Sequence, residues 1–328
     1  MNSMNFTTSA GYPYVLEDTK KANWIRDDPI KVARFKETIE ECEEKLKKGQ
    51  RIDAVYVCTL KDERRPIAKV LQGKTRVFTA GPVHLTYLIR KYFLGFVCYM
   101  MWNKVKCESA VGIDPTSYDW QYLADTLLLV GNKMFAGDFA NFDGTLNAQI
   151  LWKVCDVING WYNDEFSRQR SLLFHEIVNS YQLVGKNLFQ LPKSQPSGNP
   201  MTVIINCIYS SIFCRVVWLE TAPPLLKNLK YFSLLTRHCF YGDDDLHSIS
   251  DLAIGFYNQN TYAKVAAKYG MTYTDEAKSQ DMVDFRSLQE LTFLKRRFVW
   301  SPEFRHWLAP LDLNVVLEIP QWTKKSIM

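Results

Sequence analysis

The chain alternates between two rhythms of apolar and polar residues. From 29 to 48, PIKVARFKETIEECEEKLKK has the three-to-four-residue spacing of an amphipathic helix. Asp28 stands before it, Pro29 suits its first turn, and Gly49 ends it. Glu41/Lys45, Glu43/Lys47 and Glu44/Lys48 are spaced to pair at i,i+4 along a solvated face. AVYVCTL (54–60) then alternates as a strand does. Residues 82–102 mix apolar and aromatic side chains and predict a packed helix. Near Lys133, MFAGDFANFDGTL is a short β-like run ending in acidic residues, and a helix is expected over Asn147 to Tyr162. The polar stretch GKNLFQLPKSQPSGNP (185–200) predicts an irregular loop that opens into an apolar helix over 201–219. HCFYGDDDLHSIS reads as strand, tight acidic turn, strand. Gln259 to Tyr269 predicts a further helix stopped by Gly270. There is no internal repeat or low-complexity tract.

Composition sharpens this outline. At 328 residues and 47% hydrophobic content, the chain can bury a large core and is expected to divide into more than one lobe. The net charge of +5 is concentrated: Lys61 to Arg76 holds six basic residues against two acidic ones. Such a local excess predicts a site for a polyanion. The eight cysteines are scattered, without a CxxC pair or zinc-finger spacing, and are expected as reduced thiols. The first residues, MNSMNFTTSAGYPYV, have no basic segment followed by an apolar one, which argues against secretion. Tyr92 to Trp102 is too short to span a bilayer, and Val203 to Leu219 is interrupted by Asn206, Ser210, Ser211 and Arg215, so both are expected in the core.

The candidate chemistry lies in the carboxylates. Phosphoryl transfer from a nucleoside triphosphate needs acidic groups that hold two divalent ions about 3.5–4 Å apart. Magnesium suits such a site because it accepts a few carboxylates together with phosphate oxygens. Asp138, ending a predicted strand, and Asp243-Asp244, in a predicted hairpin turn, would converge if their strands were neighbours. The arginines and lysines of the basic segment are the natural complement to a triphosphate, since guanidinium offers a planar pair of donors.

Seven ordered blocks, KDERRPIAKVLQGKTRV (61–77), GIDP (112–115), DFANFD (138–143), PSGNPMTVIIN (196–206), YGDD (241–244), TDEAKS (274–279) and TFLKRRF (292–298), resemble those of the picorna-like RNA-dependent RNA polymerases, including those of dicistroviruses. The resemblance runs from TSAGYPYV (8–15) to WTKK (322–325). It implies an α+β right-hand fold in which an antiparallel palm sheet is backed by helices. Fingers are expected over 1–95, palm over 96–178, a fingers insertion over 179–195 and palm again over 196–328, with the thumb absent and synthesis by the chain alone weak or non-processive.

Carried over by the same resemblance, Asp138, Asp243 and Asp244 are the metal ligands, for Mg²⁺ with Mn²⁺ as a substitute. Asp143, Ser197 and Asn206 sense the ribose 2′-hydroxyl, and Gly198 allows close backbone approach. Lys61, Arg65, Lys69 and Arg76 line the route taken by the nucleotide. Lys278 matches the general acid for the departing pyrophosphate. Lys295 and Arg296 are expected on a strand beside the RNA primer. The implied partners are an RNA template and primer, NTPs, a small viral protein primer and other replication proteins, but not DNA, at membrane-associated replication complexes in the host cytoplasm. Asp245 departs from the family, where an apolar residue usually follows the paired aspartates; it is expected either to add negative field or to face solvent. A reverse transcriptase and a non-catalytic RNA-binding scaffold are the rival readings. Asp143 with Asn206 argues against the first, and the intact carboxylates argue against the second.

Overall fold

The computed structural model describes residues 4–63, 65–276 and 282–321. Its strands are β1 (Val55–Leu60), β2 (Val77–Ala80), β3 (Lys133–Ala140), β4 (Tyr181–Val184), β5 (Asn187–Gln190), β6 (Thr236–Tyr241), β7 (Asp244–Ile249), β8 (Thr272–Asp275), β9 (Thr292–Phe293), β10 (Arg296–Arg297), β11 (Val299–Ser301) and β12 (His306–Leu308). The chain packs as two units: Met1–Cys98 with Asp143–Thr202, and Tyr99–Phe142 with Val203–Met328.

In the first unit, the helix Pro29–Lys47 starts as its sequence demands. The Asp28 carboxylate accepts from the Ile30 and Lys31 amides at 3.0 and 3.2 Å, and Gly49 takes φ +76° beyond the other end. Phe35, Ile39, Cys42 and Leu46 form its buried stripe. Two of the acids expected in i,i+4 pairs choose other partners. Glu44 binds Lys47 at 2.8 Å, and Glu43 pairs with Lys91 from the helix Val83–Trp102. A lysine on a packed neighbouring helix is held within reach, whereas one on the same solvated face must be ordered for little gain.

The sheet of this unit runs β2-β1-β4-β5, with β1 parallel to β4 and the other pairs antiparallel. Part of the stretch expected to be irregular is therefore a hairpin. Val184 pairs with Asn187 around Gly185, whose φ is +60°. Strand β5 is exposed along its whole length, so burial leaves no alternating signature there. Buried Glu176 ties the start of β1 to the helix Ser167–Val178: it binds Arg51 at 3.0 Å and accepts from the Asp53 and Ala54 amides.

The second unit is built on a fully antiparallel sheet, β6-β7-β3-β8. The helix Tyr118–Leu128 packs Trp120, Leu123 and Leu127 in one core with Met134, Ala136, Cys239 and Leu246. A second aromatic core joins Phe135, His247, Tyr262 and Tyr273, with the Phe135 and His247 rings stacked at 4.4 Å. The helix Thr202–Thr221 is, among the described residues, the one long and apolar enough to cross a membrane, yet 61% of its apolar window is buried. Ile205, Tyr209, Phe213 and Trp218 are among its buried residues.

Candidate active site

The acidic hairpin forms where the sequence places it. Tyr241 pairs with Asp244 and Phe240 with Asp245, which leaves Gly242-Asp243 as a two-residue turn. Gly242 takes φ +70°, as a primed hairpin turn with glycine first requires. Strand β7 then pairs antiparallel with β3, Gly137 opposite Asp245. Continuing that register by one residue brings Asp138 level with Asp244. Directly opposed side chains in such a pair start about 4.5–5.5 Å apart. Strand alternation turns both aspartates to the face opposite Gly137 and Asp245. Asp138 and Asp244 are half-buried, and Asp243 is exposed at the tip.

The turn is braced from beneath by the helix Thr202–Thr221. The Gly242 amide donates to the Cys207 sulfur at 3.3 Å, the Cys207 thiol reaches the Phe240 carbonyl at 3.3 Å, and Ser210 donates to the Gly242 carbonyl at 3.5 Å. Burial pushes the Cys207 thiol up to about 11. Sequence reading missed both residues, although their three-residue spacing on one helix face was available as a signal. Asn206 is buried beside them.

Asp245 does not face solvent. It is 1% exposed, and its Oδ1 accepts from the Gly137 amide at 2.9 Å and the Tyr273 hydroxyl at 2.8 Å. His247 Nε2 lies 3.0 Å from Oδ2, near but poorly aligned for a hydrogen bond. Behind it, the Thr236 hydroxyl donates to the Phe232 carbonyl and so accepts from His238 Nε2 at 2.8 Å. Burial and the adjoining His247 ring push His238 well below the ordinary histidine range, leaving its Nδ1 an acceptor. His247 Nδ1 therefore donates to it across 2.8 Å.

The basic segment is organised by a carboxylate that sequence reading did not single out. Glu63 is bound by both Arg76 nitrogens Nε and Nη2 and has Arg65 Nε at 3.5 Å and Lys61 Nζ at 4.0 Å. The Arg76 guanidinium beside it holds the Glu63 carboxyl below its usual range. Arg65 also donates to the Lys74 carbonyl at 2.9 Å. Lys69 is exposed on the short helix Ile67–Leu71.

In the same unit, the Ser197 hydroxyl accepts from the Thr79 amide at 3.1 Å and lies 3.2 Å from the Thr79 hydroxyl. Gly198 permits a close approach, but to strand β2. A Cβ there would lie 1.9 Å from the Thr79 carbonyl oxygen. The Asp143 carbonyl accepts from the Gln195 amide at 3.2 Å.

Two expectations on the primer side change. TFLKRRF is not one strand, because Leu294 and Lys295, both at positive φ, form a turn between β9 and β10. Lys295 is exposed at its tip, while Arg296 is half-buried and donates to the Ala309 carbonyl at 2.6 Å. Neither leucine nor lysine advertises a left-handed backbone, which is why the sequence concealed the turn. Lys278 and the WTKK block lie outside the described residues. Among the described residues, no three His, Cys, Asp or Glu side chains stand together as a ready metal cage.

An antiparallel sheet with an acidic hairpin against an acidic central strand, backed by helices, is the architecture of the right-hand polymerases. The chain matches the Sicinivirus 3Dpol RNA dependent RNA polymerase with a TM-score of 0.81 at 22% identity, covering 98% of this chain and 66% of that one. Residues 1–327 match the family described as viral RNA-dependent RNA polymerase, and the chain belongs to that family. The replicase polyprotein of Cricket paralysis virus is 40% identical over 343 residues, covering 98% of this chain and 19% of the polyprotein. That of Drosophila C virus is 38% identical over 350 residues, covering 100% of this chain and 20% of the polyprotein. The chain thus spans about a fifth of the length of these curated relatives.

Proposed function

We propose that the chain is the RNA-directed RNA polymerase of a viral replicase, transferring nucleotides from NTPs to the 3′-hydroxyl of an RNA strand paired to an RNA template. The carrying observation is the register that sets Asp138 level with Asp244, beside the turn residue Asp243. These three carboxylates hold magnesium, with manganese able to replace it. The donors fit: they are hard oxygens, partly open to solvent, which suits an ion that keeps water and substrate phosphate in its shell. When bound, the ions activate the attacking hydroxyl and neutralise the triphosphate.

Lys61, Arg65, Lys69 and Arg76 bind the incoming triphosphate, with Glu63 orienting three of them. Asp143, Ser197 and Asn206 recognise the ribose 2′-hydroxyl, because a polar pocket left unpaired by a deoxyribose discriminates strongly. Gly198 keeps Ser197 close to Thr79 in that role. Lys278 protonates the leaving pyrophosphate, and Lys295 and Arg296 serve the primer strand. A small viral protein primer, other replication proteins and residence at membrane-associated complexes in the host cytoplasm belong to the same reading. The test is primer extension on an RNA template with Mg²⁺, native chain against Asp243→Ala. Extension with NTPs that vanishes in the variant is expected; equal extension by both, or a preference for dNTPs, would overturn the proposal.

A further inference from the structure

We propose that Asp245 is a positioning residue that sets Asp138 and Asp244 for metal binding through a buried clamp made by the Gly137 amide and the Tyr273 hydroxyl. This rests on the polymerase reading above. The clamp spans three adjacent strands: Asp245 on β7, Gly137 on β3 and Tyr273 on β8. Both donors to Oδ1 are fully enclosed, and Gly137 and Asp245 each directly adjoin one of the proposed metal ligands in the chain.

The arrangement depends on the missing side chain at 137. A Cβ there would lie 2.2 Å from Cζ and the hydroxyl oxygen of Tyr273 and 2.7 Å from the Thr274 carbonyl oxygen. Glycine therefore lets the phenol cross β3 and reach the carboxylate. One oxygen consequently fixes the spacing of β3 to β7 and of β7 to β8 at the level of the acidic pair. A side chain that holds neighbouring strands at that point controls how far apart the Asp138 and Asp244 carboxylates stand, although it touches neither the ion nor the substrate. His247 closes the remaining side, and its stacking on Phe135 keeps the ring from swinging away.

Three variants test this: Tyr273→Phe deletes one donor and keeps the ring, Asp245→Asn keeps an oxygen that accepts from both donors, and Asp245→Leu removes the acceptor. Each is measured on the full chain for Mn²⁺ affinity by electron paramagnetic resonance, for the Mg²⁺ concentration that half-saturates primer extension, and for thermal midpoint. Groups that orient metal ligands from behind typically cost about 10- to 100-fold in metal affinity when removed. Tyr273→Phe and Asp245→Leu should weaken Mn²⁺ binding and raise the Mg²⁺ requirement on that order with little change in KM for NTP, while Asp245→Asn stays close to native. Native Mn²⁺ affinity and Mg²⁺ dependence in Tyr273→Phe would overturn the proposal, and that variant decides the matter if Asp245→Leu does not fold. If the native chain binds Mn²⁺ yet extends no primer, the polymerase reading falls and the clamp is judged on Mn²⁺ affinity alone. If it binds no Mn²⁺, both fall.

Discussion

One methyl group added at position 198 should destabilise the protein without any nucleotide present. The Cβ of Gly198→Ala would sit 1.9 Å from the Thr79 carbonyl oxygen, 3.0 Å from its carbon and 3.2 Å from the Ala80 Cα. All three are backbone atoms of the paired strand β2, so no side-chain rotation relieves the overlap. The loop must retreat from the strand, stretching the contacts of Ser197 with the Thr79 amide and hydroxyl. Overpacking of this kind costs about 1–3 kcal/mol. Each hydrogen bond lost adds about 0.5–1.5 kcal/mol. With both bonds lost the sum is roughly 2–6 kcal/mol, which at about 2–4 °C per kcal/mol should lower the thermal midpoint by about 4–24 °C in a unit of this size. Melting followed by circular dichroism measures it, with Ser197→Ala as the comparison that loses hydrogen bonds without adding bulk and so falls by less. A Gly198→Ala midpoint within about 1 °C of native would refute the steric argument.

Glu276 predicts a pH dependence. Burial holds its carboxyl at about 7 against an ordinary 4.5, so the folded chain binds that proton more tightly than the unfolded one. Its stabilisation is complete below 4.5 and is lost as pH rises to about 7, so the melting temperature should decline across that window and Glu276→Gln should flatten the decline. Removing Glu176 takes from Arg51 its two-oxygen carboxylate partner, leaving it the Asn179 carbonyl, and leaves the Asp53 and Ala54 amides without their acceptor. Breaking one side of a buried pair typically costs about 3–5 kcal/mol. Glu176→Ala should therefore melt well below native, and an unchanged midpoint would show that water or another acceptor replaces the carboxylate.

Local features were the legible ones. The helix after Asp28 and the hairpin around Gly242 follow from caps, periodicity and a glycine where the turn needs one. Which strands become neighbours is a different kind of information. Nothing near Asp138 says that β7, more than a hundred residues on, will lie beside it. Packing likewise chose the partners of Gly198 and Glu43, 119 and 48 residues away, and of Glu63, whose Arg76 lies 13 residues on. Asp245 was visible as a departure from the family but not as a buried group, because its donors come from two other strands. The β4-β5 hairpin escaped because an exposed strand carries no apolar alternation, and the Leu294-Lys295 turn because neither residue type favours its backbone.

The position of β3 at the middle of its sheet also governs the order in which the molecule can assemble during translation. Both of its neighbours, β7 and β8, are made later, and Asp245 leaves the ribosome 108 residues after Gly137. At typical synthesis rates of 5–20 residues per second, that interval is roughly 5–20 s. Throughout it the Met-Phe-Ala run of β3 has no strand to join, and nascent chains halted before β7 retain an unpaired apolar strand at risk of aggregation.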